Sequence, residues 1–181
     1  MEILLAPMNA DYDSVPDGWT GVGLLMDRTR RTALAFTPDR RPHALTAGAQ
    51  PEPLDPVEVN LALGAAVAQA GEDIWGSSWA ATMPEAFGIN RRTAARDRIE
   101  RDGLHPTLLA TLGELRGGTD ARAMGRLLLA MGRYLNDATA AYEPDLPERL
   151  ALVRQATEYA HGVLRKVRVG KTLQNRGQGL R

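Results

Sequence analysis

Three short apolar runs, separated by polar segments that contain Asp, Gly or Pro, dominate the first fifty or so residues. The runs are Ile3-Leu-Leu-Ala6, Val22-Gly-Leu-Leu-Met26 and Thr32-Ala-Leu-Ala-Phe36. Runs of this length between turn residues are typical of β-strands. The segment Asp27–Arg31 has the length of a hairpin connection between the second and third runs. The pattern predicts a small antiparallel meander that must pack on helices or on a second copy of the protein, because two or three strands alone are marginally stable.

The following segment, from Pro38 to Pro53, contains four prolines and few large apolar residues. Proline supplies no backbone donor to a sheet or helix and favours turns and loops. We therefore predict that this segment is a linker, so that residues 1–50 comprise the meander and the linker, and a helical domain covers residues 55–118.

Helical signals begin at Asp55-Pro-Val-Glu58. Aspartate is a good N-cap, proline fits the first turn, and the glutamate occupies the capping-box position. Apolar residues then recur at helical spacing as far as Gly71, namely Val59, Leu63, Ala66, Val67 and Ala70. A later helix begins at His105-Pro106 and carries leucines until Gly117-Gly118.

Between these two helices lies the pattern of a helix-turn-helix motif. Ser77 or Ser78 can cap a first helix whose apolar residues, spaced by four positions, are Trp79, Met83 and Phe87. Gly88 can adopt the left-handed conformation that ends a helix sharply, and Ile89 then fills the turn from the core side. Asn90 is a suitable N-cap for a second helix. Either Ile99 packs inward from that helix, or Asp97 is exposed there and pairs with an arginine such as Arg101.

The second helix is rich in arginine, which suggests that it reads duplex DNA. In DNA-binding helix-turn-helix motifs the N-terminal residues of the second helix enter the major groove, where arginine binds guanine edges or phosphates. The predicted DNA-binding residues are Asn90, Arg91, Arg92, Thr93, Arg96 and Arg98, the first four facing bases and the last two phosphates. Possible further phosphate contacts are Ser78, Arg101, Lys166, Arg168 and Lys171. A purely solvated arginine face is the competing interpretation.

The sequence of this region resembles a known group of domains. The residues concerned are Trp79, the run Phe87-Gly-Ile-Asn-Arg-Arg-Thr-Ala-Ala-Arg96, and Leu104-His-Pro106 with the leucine-patterned helix that follows. Together they resemble the helix-turn-helix domain of small phage-type bacterial transcriptional regulators, including regulators encoded beside anti-CRISPR genes. The resemblance covers about residues 57–116. It implies a cytoplasmic, usually dimeric transcriptional regulator that binds an operator in double-stranded DNA.

The last third of the chain is predicted to form a helical hairpin over residues 119–168. One helix is expected from Ala121 to Tyr142 and a second after the break between Pro144 and Pro147, each with an apolar face. The hairpin is either a further layer of the monomer's core or a homodimer interface. Residues 169–181 have no apolar periodicity, and we expect a flexible basic tail there. The predicted fold class is thus mainly α, with a small N-terminal antiparallel β element.

Charge and composition qualify the DNA-binding hypothesis. The 22 basic and 22 acidic residues give zero formal net charge, whereas proteins that bind nucleic acid often have a basic excess. A protein-interaction adaptor or inhibitor, directed at RNA polymerase or a phage-defence complex, is therefore the rival hypothesis. The chain contains no cysteine, which fits a reducing cytoplasm, and we find neither a signal peptide nor a membrane-spanning segment.

A catalytic function is not expected. The three histidines, His43, His105 and His161, are isolated in the sequence, with no spacing that places a pair on one helix face to bind a metal. No pairing of a nucleophile with a base can be argued. We expect no enzyme activity, no metal and no cofactor.

Overall fold

The protein is described by a computed structural model that covers residues 1–8, 15–28, 30–138 and 145–177. Within these residues, five strands form one antiparallel sheet in the order β1-β2-β3-β4-β5. The strands are β1 (Ile3–Leu5), β2 (Thr20–Leu25), β3 (Thr32–Phe36), β4 (Pro42–Thr46) and β5 (Glu52–Pro53). The predicted hairpin around Asp27–Arg31 is confirmed, because β2 pairs with β3 in antiparallel register.

The sheet corrects the predicted fold class. The protein is mixed α/β, with a five-stranded sheet preceding the helices, and is not mainly α with a small β element. The difference arises in the segment from Pro38 to Pro53, which contains β4 and β5 and is not a linker. Its prolines stand where a sheet tolerates them, since Pro42 is the first residue of β4 and Pro53 lies on the edge strand β5.

The helices follow the sheet in the chain. They are α1 (Pro56–Trp75), α2 (Trp79–Phe87), α3 (Arg96–Asp102), α4 (Pro106–Gly117), α5 (Ala121–Ala138) and α6 (Leu146–Gly177), with a 3-10 turn at Gly76–Ser78. The start of α1 is as predicted, because the Asp55 side chain accepts a hydrogen bond of 2.9 Å from the backbone N–H of Val57. The helix continues past the expected end at Gly71, where the Trp79 ring lies so close that a Cβ has no room.

One hydrophobic core joins the inner face of the sheet to α1, α2, α3 and α4. Its buried members include Leu5, Leu34, Leu63, Met83 and Leu109. An ion pair also joins α4 to α1, since Nε of Arg116 lies 2.6 Å from a carboxylate oxygen of Asp73. The sheet is therefore an integral layer of the helical core.

The opposite face of the sheet is covered by a second, smaller apolar cluster. Ala33, Ala35 and Leu45 are buried there, and Met8, Val15 and Trp19 pack over them. The Trp19 ring also contacts the ring of His43, with ring centroids 4.7 Å apart. Trp19 thus anchors this cluster.

The chain divides into two compact units, Met1–Ala130 and Met131–Arg181. In the second unit Val153 of α6 is buried, and Arg154 and Glu158 form an ion pair of 2.9 Å one turn apart. Residues 169–177, expected to be a flexible tail, continue α6, and residues 178–181 lie outside the described residues. Across the described ranges, no helix combines the length and apolar character needed to cross a membrane.

Candidate nucleic-acid interface

The segment predicted as a helix-turn-helix packs α2 and α3 against α1 through apolar side chains. Met83 of α2 and Ile99 of α3 are completely buried. The rings of Trp75 and Phe87 meet edge to face, with centroids 5.7 Å apart. On the α1 side, Gly64 lies so close to Glu100 that a Cβ there would collide with the side chain of Glu100. The packing thus fixes the positions of both short helices.

Of the two packing possibilities for α3, the structure contains the first. Ile99 is the buried residue of this helix, and Asp97 is exposed. The ion pair expected of Arg101 is made with its neighbour Asp102, at 3.0 Å, and not with Asp97. The helix therefore keeps its charged side chains on the solvent side.

The end of α2 follows the predicted pattern. Gly88 has a left-handed backbone (φ 64°) that a residue with a Cβ adopts reluctantly. The N–H groups of Gly88 and Ile89 both donate to the carbonyl of Pro84, which satisfies an otherwise free helix-end acceptor. Pro84 itself lies inside α2 and is buried, and the helix begins before it, at Trp79. The chain therefore turns sharply at Gly88.

The connection to the second helix is longer than predicted. The Asn90 side chain accepts a hydrogen bond of 2.8 Å from the N–H of Arg92, so it caps as expected. Residues 90–95 then form successive turns whose N–H groups donate to the carbonyl three residues earlier. Ala95 has extended backbone (ψ 135°), and α3 begins only at Arg96. The prediction that the second helix starts directly after Asn90 is therefore wrong: a rigid loop, residues 88–95, takes its place.

Arg91, Arg92 and Thr93 lie exposed on this loop. Their neighbour Ala94 is buried, which attaches the loop to the core. Among the described residues, neither Arg91 nor Arg92 has an ion-pair partner. Both guanidinium groups are consequently available to an external anion.

The arginines of α3 are arranged differently, because each pairs with a carboxylate of the same helix. Nε of Arg96 lies 2.7 Å from Glu100, and Nε of Arg98 lies 3.2 Å from Asp102. The hydrogen bond from Arg101 lowers the pKa of Asp102; desolvation opposes this, and the charges of Arg101 and Arg98 reinforce it. The α3 surface is therefore largely charge-compensated.

The remaining predicted phosphate contacts belong to other elements of the chain. Ser78 is exposed at the start of α2 and donates a hydrogen bond to the carbonyl of Trp75. Arg168 is exposed on α6, in the second unit. Lys166 and Lys171 also belong to α6, and their side chains lie outside what the structure describes.

A cleft of about 410 Å³ lies beside the loop. It is bounded by the β3–β4 turn and by the N-terminal ends of α1 and α4. Polar residues along its wall are Arg40, Asn60, Thr93, Asp102 and His105. The sequence pattern does not predict this juxtaposition, because the prolines of the segment that contains Arg40 indicate a linker. The available signal is the pair Arg40-Arg41, which lies between two strands.

The histidines have local roles. His105 caps α4, where its Nδ1 accepts a hydrogen bond of 3.3 Å from the N–H of Thr107. His43 contacts Trp19 on the sheet. Within the residues that the structure describes, no group of three or more metal-binding side chains is present.

Comparison of the chain with protein-family models, with curated proteins and with solved structures finds no match.

Proposed function

We propose that the protein binds double-stranded DNA through the loop of residues 88–95 and the start of α3, as a transcriptional regulator of the phage type. The observation that carries the proposal is the pair Arg91 and Arg92, exposed, adjacent and without carboxylate partners in the described residues. Arginine binds phosphate and guanine edges in a fixed bidentate geometry. A rigid loop that presents two such groups pays little ordering entropy on binding.

The loop replaces the N-terminal turn of the predicted recognition helix as the base-reading element. Asn90, Arg91, Arg92 and Thr93 remain the residues proposed to face the bases. Arg96 and Arg98 are proposed to contact phosphates, exchanging their intrahelical partners Glu100 and Asp102 for the DNA backbone. Exposed pairs of this kind contribute little stability, so their exchange for phosphate contacts costs the protein little.

The proposal includes a cytoplasmic location and a homodimer. One short loop has limited affinity, and two copies on half-sites one DNA turn apart combine their contacts. The cysteine-free composition is compatible with a reducing compartment.

The test is a fluorescence-anisotropy titration of labelled duplex DNA at several salt concentrations, after selection of preferred sequences from a random pool. We expect the wild-type protein to select a sequence and to bind duplex with a steep salt dependence, because phosphate contacts release counterions. The double variant Arg91→Ala/Arg92→Ala should lose the sequence preference and bind at least tenfold more weakly, since each bidentate base contact contributes about 1–3 kcal/mol.

The control is Arg28→Ala/Arg30→Ala, which removes the same formal charge from the exposed β2–β3 turn, where Arg28, unlike Arg91 and Arg92, pairs with Glu52 at 3.3 Å. It should bind like the wild type. Thermal unfolding of both double variants should be close to that of the wild type, because all four side chains are on the surface. Unchanged affinity and sequence preference in the Arg91/Arg92 variant would contradict the assignment.

A second candidate function is supported by the ion pairs of α3. Arg96, Arg98 and Arg101 form ion pairs with Glu100 and Asp102. The surface of α3 therefore presents positive and negative groups together, as many protein surfaces do. An adaptor that binds a protein such as RNA polymerase would use this face. The salt titration separates the two functions, because an adaptor lacks the steep dependence on duplex DNA that counterion release produces.

A further inference from the structure

We propose that the β3–β4 turn is a second DNA contact, in which Arg40 binds a backbone phosphate beside the loop of residues 88–95. This inference rests on the proposed DNA binding. The sheet thereby contributes to an interface that the sequence pattern predicts only from helical residues.

Arg40 lies close to the loop of residues 88–95. Arg40 and Thr93 lie on the wall of the same cleft of about 410 Å³, so the β3–β4 turn and the arginine loop border one another. Because Thr93 follows Arg91 and Arg92 directly in the loop, we expect a DNA backbone bound there to reach this turn. Contacts to phosphates commonly fix the register of a protein whose other residues read bases.

The adjacent arginines Arg40 and Arg41 differ in whether they form an ion pair. The neighbour Arg41 pairs with Asp39, its Nε lying 2.7 Å from a carboxylate oxygen. Arg40 is exposed and has no ion-pair partner among the described residues. Of these two arginines, Arg40 is the one that borders the loop, and its guanidinium group has no ion-pair partner among the described residues.

Hydrogen bonds to Thr37 hold the backbone of the β3–β4 turn. The N–H of Arg40 donates to the carbonyl of Thr37 at 2.8 Å. The N–H of Arg41 donates to the hydroxyl of Thr37 at 2.9 Å. Arg40 thereby adopts a left-handed backbone (φ 64°), which is uncommon for a residue other than glycine. The backbone of Arg40 is therefore fixed before any ligand binds, and only its side chain has to be ordered on contact.

Acidic groups near the cleft do not cancel this charge. Asp102 lies on the cleft wall but is within ion-pair distance of both Arg98 and Arg101. Asp39 is occupied by Arg41 and by a hydrogen bond from the hydroxyl of Thr37. An approaching phosphate therefore meets the uncompensated charge of Arg40.

Because the backbone of Arg40 is left-handed, its side chain can be removed without adding backbone strain. Glycine adopts φ near 64° without a Cβ clash, so Arg40→Gly removes the side chain while relieving the backbone. The variant Arg40→Lys keeps the charge. The control is Arg30→Ala, because Arg30 is an exposed arginine at the other end of β3, about 17 Å away along a strand of five residues.

Affinity for several unrelated duplexes is measured from 50 to 200 mM salt. Arg40→Gly should weaken binding to all of them alike and reduce the slope of log K against log salt by about 0.9, as expected for one lost phosphate contact. The ratio of wild-type to variant affinity should then shrink about threefold over this range. Arg40→Lys should restore most of the slope, and Arg30→Ala should leave it unchanged.

Three results would overturn the inference, and they are distinguishable. If Arg40→Gly keeps the wild-type slope while Arg91→Ala/Arg92→Ala loses binding, the turn is not a contact and the proposed function stands. If the wild-type protein itself has no salt-dependent affinity for duplex DNA, the proposed function fails together with the inference. A loss confined to some sequences would also contradict a phosphate contact, which carries no base preference.

Discussion

Arginines that are close in the sequence differ in their surroundings, and this difference decides which of them can bind a ligand. Arg91 and Arg92 lie on a loop, residues 88–95, that contains no acidic residue, whereas Arg96 and Arg98 each have a carboxylate four residues further along a helix. The spacing of four residues brings opposite charges onto the same helix face. The unpaired arginines, not the helical ones, are therefore the strongest candidates for recognition.

At the residue scale we predict that Asp102 titrates below its ordinary pKa of 3.8. Its hydrogen bond with Arg101 stabilises the carboxylate, and Arg101→Gln should move the titration midpoint upward, measured by carbon-detected NMR. Because the pKa is lowered in the folded protein, the stabilising contribution is present above the unfolded value and is lost as the pH falls through the folded value. An unchanged midpoint in Arg101→Gln contradicts this account, and Arg154→Gln on α6 is the control.

At the element scale, the stability of α3 depends on tertiary packing. The helix has seven residues, too few to be stable in isolation, and of these only Ile99 is buried. The apolar contacts of Ile99 with the core formed by α1 and α2 compensate for this short length. The position of α3 thus depends mainly on one side chain inside the core.

We therefore expect Ile99→Ala to destabilise the protein by about 2 to 5 kcal/mol, the range for truncating a fully buried aliphatic side chain. Urea unfolding followed by circular dichroism measures this. The control Arg98→Ala on the same helix removes an exposed ion pair and should cost less than about 1 kcal/mol. If the two variants are equally stable, α3 is not held by Ile99.

At the scale of the whole molecule, exposed apolar residues indicate where two copies can meet. Met124 and Leu127 on α5 remain 45% and 46% exposed and line a groove of about 380 Å³ between α4 and α5. Leu115 of α4 lies on the opposite wall of this groove. Burial of such side chains against a second copy is the driving force that the proposed homodimer requires.

The corresponding prediction is that Leu127→Asp shifts the protein from dimer to monomer at micromolar concentration, measured by analytical ultracentrifugation. Arg126→Ala changes the charge by the same amount at a neighbouring exposed position and should leave the dimer intact. Because the chain has no native cysteine, a single Leu127→Cys variant also permits disulfide cross-linking between copies. A wild-type protein that stays monomeric throughout the concentration range contradicts the dimer.

The local features follow from short stretches of sequence. Asp55 and Asn90 act as caps, Gly88 makes the sharp turn, and the β2–β3 hairpin forms where its apolar runs predicted it. These features depend on a few neighbouring residues, whose backbone preferences and hydrogen-bonding groups can be identified in the sequence.

Tertiary structure decided the fold class and the shape of the candidate interface. The strand β4 forms by pairing with β3, and β5 forms by pairing with β4; their proline-containing segment does not predict these hydrogen bonds. Burial of Ala94 and Ile99 fixes where the loop of residues 88–95 ends and α3 begins, and pairing of the strands brings Arg40 beside Thr93. These contacts join residues far apart in the chain, so their energies are absent from any local pattern and appear only when the core is assembled.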